Sequence, residues 1–408
     1  MQRYLELLKQ EKVLARLSTI QLIAYFGAWF SNVAIYTLLL DLGVSASVIA
    51  ITAALHFLPG VLQAPFSGVL IDRFHPKKMM LVMLIIEIVA TFSLIFITDI
   101  SEMILLFFLI VVRMGASSFY FTLEMALLPK ILHVKKLQLA NEIHSIIWSI
   151  SYTLGMAISG FVVYKVGVKI AFILDAMLFV IAFLMLIGLS IDVKQNPQHE
   201  KVFAMLLDTF TYIKRDAKVF YLLILHAIVG FTAFDALVAL MVNEYYSHII
   251  ATSLAIGMLH ASRALGLVIG PVIIGKYVNN KNLAYLFWFQ AIAVIIWGMV
   301  MKDFYLSLMA SLLVGLCTTT LWSYTYTILQ HHTDEKYYGR VVAYNDMLFL
   351  LTAALISMLI GWLAELNFSL DVITYILGSL FIFGALYYHW LYGNFELKEI
   401  DGTSKNPK

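Results

Sequence analysis

The sequence predicts an all-α polytopic membrane protein of about twelve transmembrane helices, and three observations support this. Apolar stretches near the length a bilayer core demands, roughly 20 residues for ~30 Å, recur along the whole chain. Hydrophobic residues make up 62% of the 408 and charged residues only 13%, with a mean hydropathy of +0.89. That is too little charge to cover a soluble domain of this size. Finally, Lys and Arg fall on alternate loops, which a soluble fold has no reason to arrange.

Met1 to Arg16 mixes Arg3, Lys9, Lys12 and Arg16 with Leu5, Leu8 and Leu14. It reads as a short amphipathic helix on the cytoplasmic membrane face rather than a cleavable signal peptide. Six spans follow, near 17–40, 47–71, 79–97, 102–128, 142–165 and 168–190. A polar interval from Asp192 to Lys218 carries Lys194, Lys201, Lys214, Arg215 and Lys218, and six more spans lie near 219–242, 252–276, 283–301, 304–329, 342–365 and 370–391. The expected organisation is two pseudo-symmetric six-helix bundles, 1–191 and 219–408, joined by a central cytoplasmic loop over 192–218. The N-terminus, the loops after even-numbered spans and the C-terminus together hold 22 Lys or Arg, whereas the odd loops hold only Lys165, Lys169 and Lys302. By the positive-inside rule both termini are cytoplasmic.

Taken in order, the spans differ in what they carry. The first has Gln21, Tyr25, Asn32 and Tyr36 on one face at helical spacing. The second ends in Gly68-Val-Leu-Ile-Asp72-Arg73-Phe-His-Pro-Lys77-Lys78. Here Gly68 permits close approach of a neighbouring helix, and Asp72 suits an exposed helix N-terminus with unpaired N–H groups. The third carries Glu87. The fourth aligns Arg113, Ser117, Tyr120 and Glu124, and the fifth has Trp148, Tyr152 and the small-residue run Gly155-Met-Ala157-Ile-Ser159-Gly160. The sixth has Asp175 near its start.

In the second half, Thr232 and Asp235 share a face of the seventh span, and Arg263 lies within the eighth. Gly275-Lys-Tyr-Val-Asn279-Asn280 then stands where Gly68 to Arg73 stood in the first half, a faint internal repeat. The tenth offers Gly315, Thr319, Trp322, Tyr326 and Gln330. The third, sixth, ninth and twelfth spans are poorer in such stripes, as lipid-facing supports should be. Ser, Thr and Tyr within spans also serve as interhelical hydrogen-bonding groups.

Arg113 and Arg263 each fall about eleven residues into their helices, near mid-depth at ~1.5 Å per residue. A lone ion there costs several kcal/mol, so acidic partners are expected among Glu87, Asp175 and Asp235. The expectation is that Arg113 supports a protonatable carboxylate, Asp235 first and Glu87 second, with Glu87 and Asp175 alternatively serving as structural pairs between helices.

The loop Gly68-x-Leu70-x-Asp72-Arg73-x-x-x-Lys77-Lys78 resembles the loop 2–3 signature of the major facilitator superfamily. The resemblance implies a cytoplasmic gate in which Asp72 docks at the start of the eleventh helix, here Gly339-Arg340-Val341, with Glu124 as a further acidic partner. His75-Pro76 departs from the family pattern, which leaves Arg73 or Lys77 to supply the missing Arg. Leu127-Leu128-Pro129, Leu139-Ala140-Asn141 and Asp175 resemble the subfamily of macrolide-efflux and enterobactin-type exporters, although Gly27-Ala28-Trp29 lacks that subfamily's acidic residue. Arg113 followed by Gly115 resembles the superfamily's helix-four motif, associated with proton coupling. Helices one, four, seven and ten would line the substrate site.

The resemblance implies a secondary active transporter working by alternating access, exporting an amphipathic or aromatic small molecule by proton antiport. An uptake symporter of the same fold is the alternative, and a non-transporting receptor on a carrier scaffold is the rival of another class. The expected partners are a small-molecule substrate, protons and the lipid bilayer, with no nucleic acid and no cofactor, for a monomer in a bacterial inner membrane. No phosphate-cradling P-loop, Gly-x-Ser-x-Gly elbow or His-Glu-x-x-His helix occurs, which argues against an ATP-driven pump and against hydrolases. Cys317 is the single cysteine, so neither a disulfide framework nor a Cys-based metal site is available.

Overall fold

The amphipathic opening segment forms α1 (Gln2–Gln10). Its Leu7 joins a buried cluster with Leu14, Leu128, Leu132, Ala140 and Ile143. Tyr4 donates to Glu142 at 2.8 Å and Lys136 pairs with Glu11 at 2.6 Å. The first helix is therefore fastened to the connection between the fourth and fifth spans. The structure, a computed structural model, describes residues 2–73, 75–191, 202–334 and 336–397.

The first span is α2 (Lys12–Asp41). It stops in a Schellman turn: Gly43, at φ 65°, donates to the Leu40 carbonyl and Val44 to the Leu39 carbonyl. A left-handed residue at that position favours glycine, and the turn satisfies carbonyls the helix leaves open. Then come α3 (Ala46–Arg73), α4 (Pro76–Ser93), α5 (Met103–Ile131), α6 (Val134–Val166) and α7 (Val168–Ile187). Pro76 is the first residue of α4, where its fixed φ and missing N–H suit a helix start. The His75-Pro76 departure from the family loop is thus a helix-initiating pair.

The polar interval contains a helix of its own, α8 (Val202–Arg215). Tyr212 stacks on Tyr337 with ring centroids 4.2 Å apart, and the Asp334 N–H donates to the Tyr212 hydroxyl at 3.1 Å. Asp208 accepts from the Tyr337 hydroxyl at 3.3 Å and pairs with Arg340 at 3.6 Å. Each run of six spans is therefore preceded by a short helix fastened to the loop between that run's fourth and fifth members.

The seventh span differs from the unbroken helix the sequence suggested. It consists of α9 (Ala217–Ile228), a 3-10 turn over Val229–Thr232, and α10 (Asp235–Met241). A break inside a membrane frees backbone groups that lipid cannot satisfy. Arg263 donates to the Thr232 carbonyl at 2.7 Å, and its guanidinium lies 5.2 Å from the centre of the Phe234 ring. The remaining helices are α11 (Thr252–Ile273), α12 (Leu283–Val300), α13 (Phe304–His332), α14 (Tyr338–Glu365) and α15 (Leu370–Asn394). Among the described residues, 12 helical stretches are long and apolar enough to cross a membrane.

Contacts group the chain into two units. One holds Met1–Val44, Leu58–His199 and Tyr246–Ala261; the other holds Ser45–Phe57, Glu200–Tyr245 and Ser262–Lys408. In the first, the small-residue run of α6 works on two sides. Gly155 abuts Phe26 and Trp29 of α2, whereas a Cβ at Gly160 would stand 2.6 Å from the Ser253 carbonyl oxygen of α11. In the second, α11 and α13 touch backbone to backbone: a Cβ at Gly266 would lie 2.9 Å from Gly315 Cα, and one at Gly270 would overlap Leu316.

Candidate functional site

In the first unit the site is organised by Arg113, buried to 1% exposure on α5. Its Nε donates to Thr91 at 3.1 Å, and Nη2 donates to the Gly27 and Ala28 carbonyls at 3.2 and 2.9 Å. Nη2 also pairs with Asp175 at 3.4 Å. Asp175 in addition accepts from the Ser31 hydroxyl. The guanidinium therefore joins α2, α4, α5 and α7. Its acidic partner is Asp175 rather than Asp235, the first choice from sequence; Asp235 belongs to the second unit.

Gly27 is required at this point, because a Cβ there would stand 2.5 Å from Asp175 Oδ1. The carboxylate missing from Gly27-Ala28-Trp29 is thus presented to that stretch by α7. Glu87 is also buried, with Oε1 lacking a hydrogen-bond partner among the described residues. Arg113 acts electrostatically on its carboxyl group, and the Ser117 hydroxyl hydrogen-bonds to it.

Toward the other end of α5, Glu124 is 2% exposed and accepts from Tyr25 at 3.3 Å. Its side chain is enclosed by the helices around it. Gln21 Nε2 lies 2.6 Å from His144 Nδ1 and donates to it. Tyr25 stacks on Phe121 and meets His144 edge-on. Tyr120 is buried beside these groups, and Asn32 and Tyr36 are buried further along α2. Next to them Trp29, Trp148 and Tyr152 form an aromatic trio, with Trp148 and Tyr152 stacked at 5.7 Å and Trp29 edge-on to Tyr152 at 4.7 Å. Trp148 is 37% exposed.

In the second unit Thr232 and Asp235 flank the break in the seventh span, and both are buried. Thr319 is half-buried, and Trp322 stacks on Tyr326 at 5.0 Å. Of the gate residues, Gly68, Asp72 and Arg73 lie in the last turns of α3, and their side chains fall outside the described residues. Lys77 donates to the Ile187 carbonyl at 2.9 Å, and Lys78 is exposed. Arg340 meets Asp208 and Thr209 of α8.

Reading the sequence for Lys, Arg, Asp and Glu overlooked His144, His226 and Asp346. Both histidines are buried within spans, and the same desolvation argument that singled out Arg113 applies to them. Asp346 lies four residues past the expected start of the eleventh span. Among the described residues no group of three His, Cys, Asp or Glu side chains is placed to hold a metal ion.

The family model described as Major Facilitator Superfamily matches residues 17–245. No curated protein is similar enough in sequence to match. Among solved structures, the nucleoside transporter NupG superposes with a TM-score of 0.73 at 12% identity, covering 94% of this chain and 100% of that one. The POT family transporter PepTSo gives a TM-score of 0.73 at 11% identity over 94% and 98%. A bacterial homolog of the human lysosomal transporter Spinster gives 0.71 at 12% over 95% and 97%. At such identities the likeness establishes the fold.

Proposed function

The chain belongs to the major facilitator superfamily, whose members are carriers rather than enzymes, and on that premise we propose that it exports an amphipathic or aromatic small molecule in exchange for protons. Alternating access between the two six-helix bundles, 1–191 and 219–408, would carry the cargo. The protein would reside as a monomer in a bacterial cytoplasmic membrane with both termini inside, and Asp72, Arg73, Lys77, Glu124 and Arg340 would govern closure on that side.

The observation that carries the coupling reading is Glu87. Its carboxyl group is 2% exposed at membrane depth, one oxygen lacks a hydrogen-bond partner among the described residues, and Arg113 is already committed to Asp175. A buried carboxylate without a dedicated cation is suited to bind and release a proton as access alternates. Asp235, buried beside the break in the seventh span, is the second carrier. The aromatic trio Trp29, Trp148 and Tyr152 and the stacked pair Trp322 and Tyr326 support an aromatic cargo. The likeness of Leu127-Leu128-Pro129 and Leu139-Ala140-Asn141 to macrolide-efflux and enterobactin-type exporters supports the outward direction.

Proteoliposomes under an imposed pH gradient, with ethidium as the probe, test this. Glu87→Gln should abolish gradient-driven ethidium flux while equilibrium exchange of the probe continues. Gradient-driven flux unchanged in both Glu87→Gln and Asp235→Asn would remove proton coupling through these carboxylates. An uptake symporter would use the same groups, and the gradient polarity that drives flux separates the two.

A further inference from the structure

His226, on α9, is fully buried, and its ring is faced by Trp322, Tyr326 and Phe349 at centroid distances of 5.7, 5.4 and 5.7 Å. His226 Nδ1 lies 2.8 Å from Thr325 Oγ1, and that hydroxyl donates to the Leu321 carbonyl at 2.8 Å. A hydroxyl has one proton to give. With it committed to the backbone, Thr325 accepts from His226, so the ring proton sits on Nδ1. Nε2 is then a bare lone pair, and it has no hydrogen-bond partner among the described residues. Burying an acceptor without a donor is costly, so a ligand that supplies an N–H would relieve it.

Two neighbours sharpen the chemistry. Asp346 lies on α14 three residues before Phe349, on the same helix face, and acts electrostatically on Tyr326. It is half-buried, and no Lys, Arg or His forms an ion pair with it among the described residues. Trp322 is 39% exposed, so the aromatic wall has an open side. Lone pair, carboxylate and ring faces all present negative potential, and an aromatic cation bearing N–H groups complements all three.

We propose that His226, Trp322, Tyr326 and Asp346 form a recognition site for an organic cation that carries N–H donors on an aromatic body. The further step, that this class is the transported cargo, rests on the carrier reading above. The site draws one side chain from α9, two from α13 and one from α14, all within the second unit. Asp346 supplies the charge, Trp322 and Tyr326 the stacking surface, and His226 the hydrogen-bond acceptor.

Fluorescence anisotropy with the purified full chain in detergent micelles, above the empty-micelle background, provides the test. Rhodamine 6G is a cationic xanthene with two N–H groups, tetramethylrhodamine methyl ester is cationic without N–H, and fluorescein is an anionic xanthene. The expected affinity order is rhodamine 6G, then the tetramethyl ester, then fluorescein. Asp346→Asn should weaken rhodamine 6G binding about tenfold or more, and Asp346→Glu should restore most of it. His226→Phe should bring rhodamine 6G down to the level of the tetramethyl ester.

Fluorescein binding as tightly as rhodamine 6G to the unmodified chain would overturn the proposal, and so would an unchanged Kd in a monodisperse Asp346→Asn protein. Asp346-dependent binding by a protein that moves nothing under a gradient would keep this site and sink the coupling reading instead.

Discussion

Replacing Asp175 by Asn removes the carboxylate that, among the described residues, forms an ion pair with a guanidinium that is 1% exposed, and changes almost no volume. Breaking a buried pair by deleting one member costs about 3–5 kcal/mol, because the surviving charge is left in low dielectric. Arg113 retains its bonds to Thr91, Gly27 and Ala28, which places the loss near the lower end, about 3 kcal/mol. The reciprocal change, Arg113→Met, should cost less. A carboxylate stranded in a membrane can take up a proton, and Asp175 keeps the Ser31 hydroxyl; a guanidinium has no such escape. About 1–2 kcal/mol is expected there, the scale of lost hydrogen bonds. Equilibrium unfolding in mixed micelles, followed by intrinsic fluorescence and extrapolated linearly, ranks the variants. Asp175→Asn unfolding at or beyond the midpoint of Arg113→Met would refute the argument.

Other consequences are accessible to simpler assays. Gly160→Leu forces a side chain against the Ser253 carbonyl oxygen, 2.6 Å from an ideal Cβ, so its unfolding midpoint should fall by an amount equivalent to about 1–3 kcal/mol, with Gly160→Ala between it and the original. Tyr337→Ala removes the stack on Tyr212, and hydrogen exchange over residues 202–215 should speed up; the accompanying Arg340–Asp208 pair is partly exposed, so global stability should change by less than about 1 kcal/mol. Asp99 accepts from the Ser101 N–H at 2.9 Å, which holds its carboxyl group below the ordinary 3.8. The order this gives residues 100–102 is fully present above that ordinary value and is lost as pH falls through the lowered one. Exchange or cleavage at that turn should therefore rise only in strong acid, and Asp99→Ala should leave only the part of that response that comes from Glu102, whose carboxylate accepts from the Thr98 and Asp99 N–H groups.

The transmembrane scaffold was legible because its cause is one-dimensional. A span must be about 20 apolar residues long whatever its neighbours do. Arg113 was equally visible, since a charge in such a stretch demands a partner. Which acid answers it was not, because Asp175 and Asp235 look alike until the facing helices are known. The broken seventh span was hidden for a related reason. Gly230 to Phe234 carries no proline, and the group that satisfies the break, Arg263, is 31 residues away in sequence. His226 escaped notice because its value lies in Thr325 fixing its tautomer, which no spacing encodes.

The glycine-lined seam between α11 and α13 limits how the second unit can deform. A shift of either helix along the other by one residue would drive a side chain from its neighbour's row into the carbonyls at Leu312 or Leu316, and packed backbones do not shear gradually. Those two helices must travel together as one strut. A second close approach of backbones, Gly230 against the Phe349 carbonyl oxygen of α14 at 2.7 Å from an ideal Cβ, ties the break in the seventh span to α14 in the same way.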